Sequence, residues 1–259
     1  MNRKIVAIFL TSKPNYDEFA FKYFILSLNK IQSYYEFMFP EIHNHCYISR
    51  YSDTNELFSS FEKKVRPKIN FENKPDYLIN IITSTIGENL FFECRGNVAF
   101  VTTDTWGKYF SPPSLFEYLS HCIIASLLSM NEKVDLHSHR DTKGCCLDYT
   151  FFKMDDKVDI ALGYICDKCK DEIINGIGKE YLTEIINIVN REWIGDINNF
   201  GSVAYTLKNF FKFDINKDSG FNKTFWDKAK DHFYEIPKDV GVLIIGAIIG
   251  ILVTLIFKL

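Results

Sequence analysis

The chain has 259 residues, of which 47% are hydrophobic and 16% aromatic, so it can bury one sizeable core or two small ones. Its formal net charge is -3 at pH 7 and it contains no block of basic residues, which argues against a nucleic-acid partner bound through a positive surface. Seven cysteines are an odd number and cannot all pair in disulfides, so a reducing compartment with some cysteines on a metal ion is favoured.

The first half of the chain alternates between β-type and helical patterns. Runs rich in β-branched and aromatic residues predict strands, and apolar residues at helical spacing predict helices. The predicted strands are residues 4–10, 44–51, 76–82 and 97–102, and the predicted helices are residues 16–35 and 114–130. This order predicts an α/β (α+β) soluble domain over residues 1–135.

A cluster of cysteines and histidines follows within thirty-three residues. Its clearest part is Cys166-Asp-Lys-Cys169, because a Cys-x-x-Cys turn lets two thiolates hold one zinc ion. A Cys and a His from elsewhere can complete a tetrahedral site, so we predict a small Cys/His zinc subdomain over residues 136–199. The favoured ligands are His139, Cys145, Cys166 and Cys169, with Cys146 and His137 in reserve. The alternatives are that the Cys-x-x-Cys is a redox pair or two buried thiols, and that the histidines are surface residues.

The cysteine spacing is similar to that of the archaemetzincin-type metallopeptidases. In that family a Cys-x-Met is followed by Cys-x-x-Cys at the distance that separates Cys146 from Cys166 here. A strand, an extended segment and an active-site helix precede the cysteines, and residues 75–175 show the same order. The resemblance implies a structural zinc site on Cys146 or its neighbour Cys145, together with Cys166 and Cys169.

The catalytic motif of that family is not kept in this sequence. The motif HExxH would place two zinc ligands and a general base on one helical face. Here Phe116 and Ser120 occupy the two histidine positions and Glu117 alone keeps its place, while Asp148 stands where the family has its methionine. The resemblance therefore implies no catalytic zinc.

A different catalytic arrangement stays open. Glu117 and His121 are four residues apart and would share one helical face, where the histidines of the cluster could join them at an atypical catalytic metal site. Alternatively, Glu117 is solvated and His121 is a core histidine. The adjacent carboxylates Asp155 and Asp156 could bind a cation, but solvation in a loop explains them more simply.

The C-terminal part ends in the most apolar segment of the chain. Residues 170–193 form one helical pattern interrupted by Gly176 and Gly178. The aromatic and lysine-rich residues 200–239 are interpreted as a juxtamembrane region, with core aromatics in a linker as the alternative. Residues 240–257 carry no charge, and eighteen helical residues reach about 27 Å, so they predict a single C-terminal transmembrane helix.

These patterns lead to a predicted single-pass membrane protein with its soluble part in the cytoplasm. The span contains Gly246 and Gly250 in a GxxxG pattern, which predicts a homo-oligomer formed through the anchor. The predicted function is a tail-anchored, zinc-binding and noncatalytic metallopeptidase-like sensor or interaction module, whose protein or small-molecule ligand the sequence does not identify. A membrane-bound zinc metallopeptidase with an altered active site is the alternative, and a membrane-disrupting effector of bacterial defence is a third interpretation.

Overall fold

The computed structural model describes residues 3–11, 14–40, 53–69, 74–104, 106, 112–134, 144–148 and 153–222. The chain separates into one compact unit of residues 1–221 and a second unit of residues 222–259. All contacts described below lie within the first unit. The strand predicted at residues 44–51 lies outside the described ranges.

The described part of the chain forms one five-stranded sheet. Its strands are β1 Lys4–Leu10, β2 Tyr35–Met38, β3 Tyr77–Ile82, β4 Phe92–Arg95 and β5 Val98–Thr102, and their spatial order is β2-β1-β3-β5-β4. Strands β2, β1, β3 and β5 are parallel, and β4 pairs antiparallel with β5 at the edge.

The inner strands are apolar on both faces because both faces of the sheet are covered. Val6 and Ile8 of β1 belong to a large core that contains residues of the helices Glu18–Ser27 (α1) and Leu115–Ser129 (α3). Ala7 and Phe9 face a smaller core, closed by apolar residues of the helix Thr54–Ser60 (α2) and of the π-helical turn Phe61–Val65. The result is a three-layer α/β arrangement, which confirms the α/β part of the predicted fold class.

Seven α-helices surround the sheet in the described residues. They are α1 Glu18–Ser27, α2 Thr54–Ser60, α3 Leu115–Ser129, α4 Lys153–Leu162, α5 Asp167–Gly176, α6 Lys179–Val189 and α7 Val203–Phe210. The predicted helix at 16–35 is shorter than expected, because Tyr35 already begins β2 beside β1. The single helical pattern of residues 170–193 is divided into the separate helices α5 and α6: α5 ends at Gly176, and Gly178, with φ +134°, precedes α6.

Helix α3 is the central helix of the large core. Thirteen of its fifteen residues are buried, among them the polar residues Glu117, Ser120 and Ser126. The Ser114 side chain caps its first turn, and the Glu117 side chain accepts a hydrogen bond from the Ser114 backbone N–H in return. The sequence predicts this helix to within one residue at each end.

The aromatic segment after residue 200 contributes to the same core. Phe213 and Ile215 are buried, and the Phe213 ring lies 4.6 Å from that of Phe116. These contacts agree with the interpretation of the segment as core aromatics. Phe200 and Phe210, by contrast, are largely exposed.

The predicted membrane helix requires a correction. Among the described residues, no helix is both long and apolar enough to cross a membrane. The longest of these helices, α3, has 15 residues and therefore a length of about 22 Å, less than the ~30 Å of a hydrocarbon core. This finding contradicts the single-pass transmembrane helix in the predicted fold class and the membrane localisation that follows from it. Residues 240–257, including the GxxxG pattern, lie outside the described ranges.

Gly163 allows α4 to end against the end of α6. It has φ +57°, and a Cβ atom at this position would lie 2.4 Å from the backbone oxygen of Val189. Gly96 has nearly the same φ, +55°, but a Cβ there would meet nothing within 4 Å. We expect Gly163→Ala to lower the free energy of unfolding by about 1–3 kcal/mol more than Gly96→Ala, because both variants carry similar backbone strain but only the first is overpacked. Urea unfolding of the two variants measures the difference, and equal losses would show that the contact with Val189 is not formed.

Candidate metal centre

The segment containing Cys145 is fixed to the residues just before α5. Cys145 forms an isolated parallel bridge with Tyr164, and the Cys146 N–H donates to the Tyr164 carbonyl over 2.8 Å. A tight turn follows, in which the Asp148 N–H donates to the Cys145 carbonyl and the Cys145 N–H donates to the Asp148 carboxylate. These backbone contacts bring the adjacent cysteines to the Cys-x-x-Cys.

The Cys-x-x-Cys itself lies at the beginning of α5. Cys166 is the N-cap residue, with extended backbone angles, and Cys169 lies in the first turn. The Cys166 N–H at this end of the helix donates to the Cys145 sulfur over 3.3 Å, so the helix end favours negative charge on Cys145.

Three thiols converge at this point. The Sγ atoms of Cys145, Cys166 and Cys169 all lie within 4.8 Å of one another, and the three residues are buried. In a tetrahedral zinc site with Zn–S distances of about 2.3 Å, the sulfur atoms are separated by about 3.8 Å. The cluster therefore needs only a small contraction to bind a metal ion.

Hydrogen bonds concentrate negative charge on Cys145. The thiols of Cys146 and Cys169, and the backbone N–H of Cys166 at 3.3 Å from the sulfur, hold the pKa of Cys145 well below its ordinary value. The same contacts, together with burial, raise the pKa of Cys146 and of Cys169. A thiolate that accepts hydrogen bonds from two thiols is a compact acceptor for a soft cation.

The remaining candidate ligands fall into two groups. Cys146 is buried and hydrogen-bonds to Cys145, so it lies beside the three thiols. His139 and His137 lie outside the described residues. A fourth ligand from Cys146 or His139 thus stays a prediction.

A second polar cluster lies between α3 and α4. Asp156 and Asp159 are 3% and 1% exposed, and His121 Nε2 is 3.5 Å from Asp156 Oδ1. Both carboxylate oxygens of Asp159 and Oδ2 of Asp156 are buried without a hydrogen-bond partner among the described residues. Burial raises the pKa of Asp159 to about 7, with Asp148 and Asp156 acting in the same direction and His121 opposing them.

This cluster is only partly anticipated by the sequence. Asp155 is exposed as expected, but Asp156 is buried on α4 rather than solvated in a loop. Asp156 and Asp159 are three residues apart, and Ile160 beside them is buried. The sequence feature that could have indicated this cluster is therefore an acidic pair on the apolar face of a helix. His121 contacts Asp156 of this pair and is therefore a half-buried histidine with an acidic neighbour.

Glu117 is held by structural contacts on both carboxylate oxygens. Oε2 accepts the Ser114 N–H at 2.6 Å, and Oε1 accepts from the Arg191 guanidinium at 2.8 Å. Arg191 also donates to the Ala161 carbonyl, which ties α3 to the end of α4. The cavity beside Glu117 and His121 has a volume of about 20 Å³, enough for one water molecule.

The two positions that would carry the histidines of HExxH are also buried. Phe116 packs among the rings of Tyr16, Phe21, Phe24 and Phe213. Ser120 lines the small cavity. Glu117 and His121 thus share one cavity wall, as their spacing predicts, but each already has a protein partner.

Comparison with known proteins adds one similarity. No protein-family model matches the sequence, and no match was found among curated proteins. Among solved structures, the chain is similar to the crystal structure of archaemetzincin from Methanopyrus kandleri, with a TM-score of 0.42 and 11% sequence identity. The match covers 72% of this chain and 97% of that chain. A similarity at this level assigns neither a fold nor an activity, so the site is judged by its own residues.

The thiol cluster predicts selective loss of metal on substitution. We expect Cys166→Ser to reduce bound zinc to well under one ion per chain and to increase protease cleavage near residues 144–176, because metal binding and folding of this region are coupled. Cys94→Ser is the matched control, since Cys94 lies on β4 outside the cluster and should keep full zinc. Equal zinc content in the two variants, measured by elemental mass spectrometry, would contradict the assignment.

The raised pKa of Asp159 predicts a specific pH dependence. In the unfolded chain this carboxyl ionises near pH 4, whereas the folded protein keeps it protonated up to about pH 7. The loss of unfolding free energy caused by burying this carboxyl is therefore absent below pH 4, grows between pH 4 and 7, and is complete above pH 7. Relative to the parent, Asp159→Asn should gain at least about 1 kcal/mol of unfolding free energy at pH 8 and little at pH 4.

Asp155→Asn is the control for this experiment, because Asp155 is exposed on the same helix. Urea unfolding of the three proteins at matched metal content checks the prediction. A stability difference for Asp159→Asn that does not change with pH would show that the carboxyl has the same pKa in the folded and unfolded protein, and it would contradict the prediction.

Proposed function

We propose that this protein is a zinc-binding α/β module of metallopeptidase-like architecture that recognises a ligand and does not cleave peptides. The observation that carries the proposal is the convergence of the Cys145, Cys166 and Cys169 sulfur atoms within 4.8 Å of one another. A fourth ligand, Cys146 or His139, would close a tetrahedral site.

The chemistry of these donors favours zinc in a structural role. Thiolates select soft or borderline metals such as zinc over magnesium and calcium. A catalytic zinc site keeps one position for water or substrate, whereas a set of four protein ligands leaves none. The burial of all three cysteines supports the closed, structural kind of site. Bound zinc would fasten residues 144–148 to the start of α5.

The same burial argues against a redox role for the Cys-x-x-Cys. Reactive cysteine pairs are partially exposed, because a partner must reach one sulfur atom. Here Cys166 is 8% and Cys169 is 1% exposed, and a third thiol, that of Cys145, lies beside them.

The surroundings of Glu117 support the absence of peptidase activity. A general base must be free to take a proton from a metal-activated water. Glu117 instead accepts hydrogen bonds from Ser114 and Arg191, and the adjoining cavity has room for about one water molecule.

Glu117→Gln tests this structural role. We expect it to lower the free energy of unfolding by about 1–3 kcal/mol, because it leaves the partly buried Arg191 without its counter-charge. Glu62→Gln removes the exposed pair with Arg66 and should change stability by less than about 0.5 kcal/mol. Peptide cleavage by the parent that Glu117→Gln abolishes at unchanged zinc content would overturn the proposal.

A second candidate is an enzyme with an altered metal site at His121 and Asp156, beside Asp159. The ligand atoms of these three residues do not converge as the three thiols do, so they would have to draw together around the ion. The observation that favours it is the set of buried carboxylate oxygens without partners beside an imidazole. Zinc counting separates the two candidates: the structural site alone gives one ion per chain, and a second site gives two. Asp159→Asn should lower the count only in the second case.

A further inference from the structure

A large pocket opens at the end of the sheet where the parallel strands begin. It is lined by residues at the start of β1, β2, β3 and β5, by the turn after α3, and by α6. Its volume is about 770 Å³, within the range of small-molecule sites. Ile177, just after the carboxyl end of α5, also lines it, whereas the cysteines lie at the amino end of that helix.

One wall of the pocket consists of four packed tyrosines. The rings of Tyr34 and Tyr181 meet edge to face at 4.9 Å, and Tyr35 contacts both Tyr181 and Tyr77. The hydroxyl groups of Tyr35 and Tyr181 hydrogen-bond to each other, although 146 residues separate them in the sequence. These contacts hold the aromatic wall in one arrangement before any ligand binds.

The hydrogen bond between Tyr35 and Tyr181 leaves one hydroxyl hydrogen without an acceptor among the described contacts. In a hydrogen bond between two hydroxyls one group donates, and the hydrogen of the accepting hydroxyl needs another acceptor. Tyr35 and Tyr181 are each 2% exposed, and no further acceptor is described for either hydroxyl. A ligand with a hydrogen-bond acceptor would satisfy this donor.

The pocket is also negatively charged. It is lined by four carboxylates, Asp76, Glu132, Glu180 and Glu184, against two ammonium groups, Lys4 and Lys133. Lys4 is neutralised by its ion pair with Asp76 at 2.9 Å. The carboxylates act on the aromatic wall: besides burial, Glu180 and Glu184 raise the pKa of Tyr34.

We propose that this pocket binds an organic ammonium ion that carries a hydrogen-bond acceptor. Aromatic faces attract such cations through their quadrupole, and surrounding carboxylates add attraction between full charges. The arrangement disfavours anions because carboxylates outnumber ammonium groups at the wall. The ammonium group belongs either to a free small molecule or to a modified lysine side chain, since both present the same chemistry.

The test compares two ligands of equal shape on the full chain. Choline is the cationic probe, and 3,3-dimethyl-1-butanol is its uncharged counterpart, with carbon in place of nitrogen. In calorimetric titration, choline should bind about threefold to thirtyfold more tightly than the uncharged alcohol, the range expected for an ammonium ion on aromatic rings. A peptide with trimethyllysine and the same peptide with glutamine separate the two sources of the cation.

Matched variants locate the binding. Tyr34→Leu and Glu180→Gln should each weaken choline binding severalfold, whereas Tyr205→Leu and Glu192→Gln, outside the pocket, should leave it unchanged. Glu180 is exposed, so its substitution should not affect folding. The proposal would be overturned if choline and its neutral counterpart bound with equal affinity, or if binding were unchanged in both pocket variants. It would also be overturned if neither choline nor the trimethyllysine peptide bound at 10 mM, about the weakest useful affinity.

Discussion

Helix α3 is buried around most of its surface, and this constraint decides what its polar residues can do. A buried carboxylate is costly unless it is paired and hydrogen-bonded. Glu117 meets this requirement through the Ser114 N–H and the Arg191 guanidinium. Glu117 thereby joins the start of α3 to the end of α6.

Helix α4 links the two polar clusters described above. Its residue Asp156 contacts His121 on α3, and the chain continues from α4 through Gly163 and Tyr164 to the Cys-x-x-Cys. Asp159, whose carboxyl lacks a described partner, also lies on α4. The electrostatics of the two clusters are coupled, because Asp148 and the Cys145 sulfur both raise the pKa of Asp159. A cation at the thiols would lower the cost of ionising Asp159, so metal loading and protonation should depend on each other.

Helix α5 has the thiol cluster at one end and the tyrosine-lined pocket near the other. Its amino end carries Cys166 and Cys169, which suit a soft metal ion, and the tyrosine pocket lies near its carboxyl end. Gly176 permits this arrangement, since a Cβ atom there would lie 2.0 Å from the backbone oxygen of Lys133. A structural zinc ion at one end would therefore stabilise the helix that helps to shape the pocket at the other.

The sequence by itself determined the elements that are recognisable from local patterns. Strands β1, β3 and β5 are predominantly apolar runs, and α3 combines a capping box with a long apolar segment. Strands β2 and β4 have only four residues each, too few for a periodic signal, and they exist because a longer neighbour offers a free edge. The Cys-x-x-Cys was likewise visible, because its ligands are close in sequence.

Only the tertiary structure decided which distant residues meet. The Tyr164 bridge places Cys145 at the Cys-x-x-Cys, and the ion pair of Glu117 joins residues 74 positions apart. The pocket depends on Tyr35 and Tyr181, which no spacing rule connects. The uncharged, mostly apolar residues 240–257 show a further limit of sequence patterns, because their hydropathy reports a preference of the segment but fixes no contact. Local patterns report the preference of a segment, whereas burial, charge pairing and cavities arise only when segments pack together.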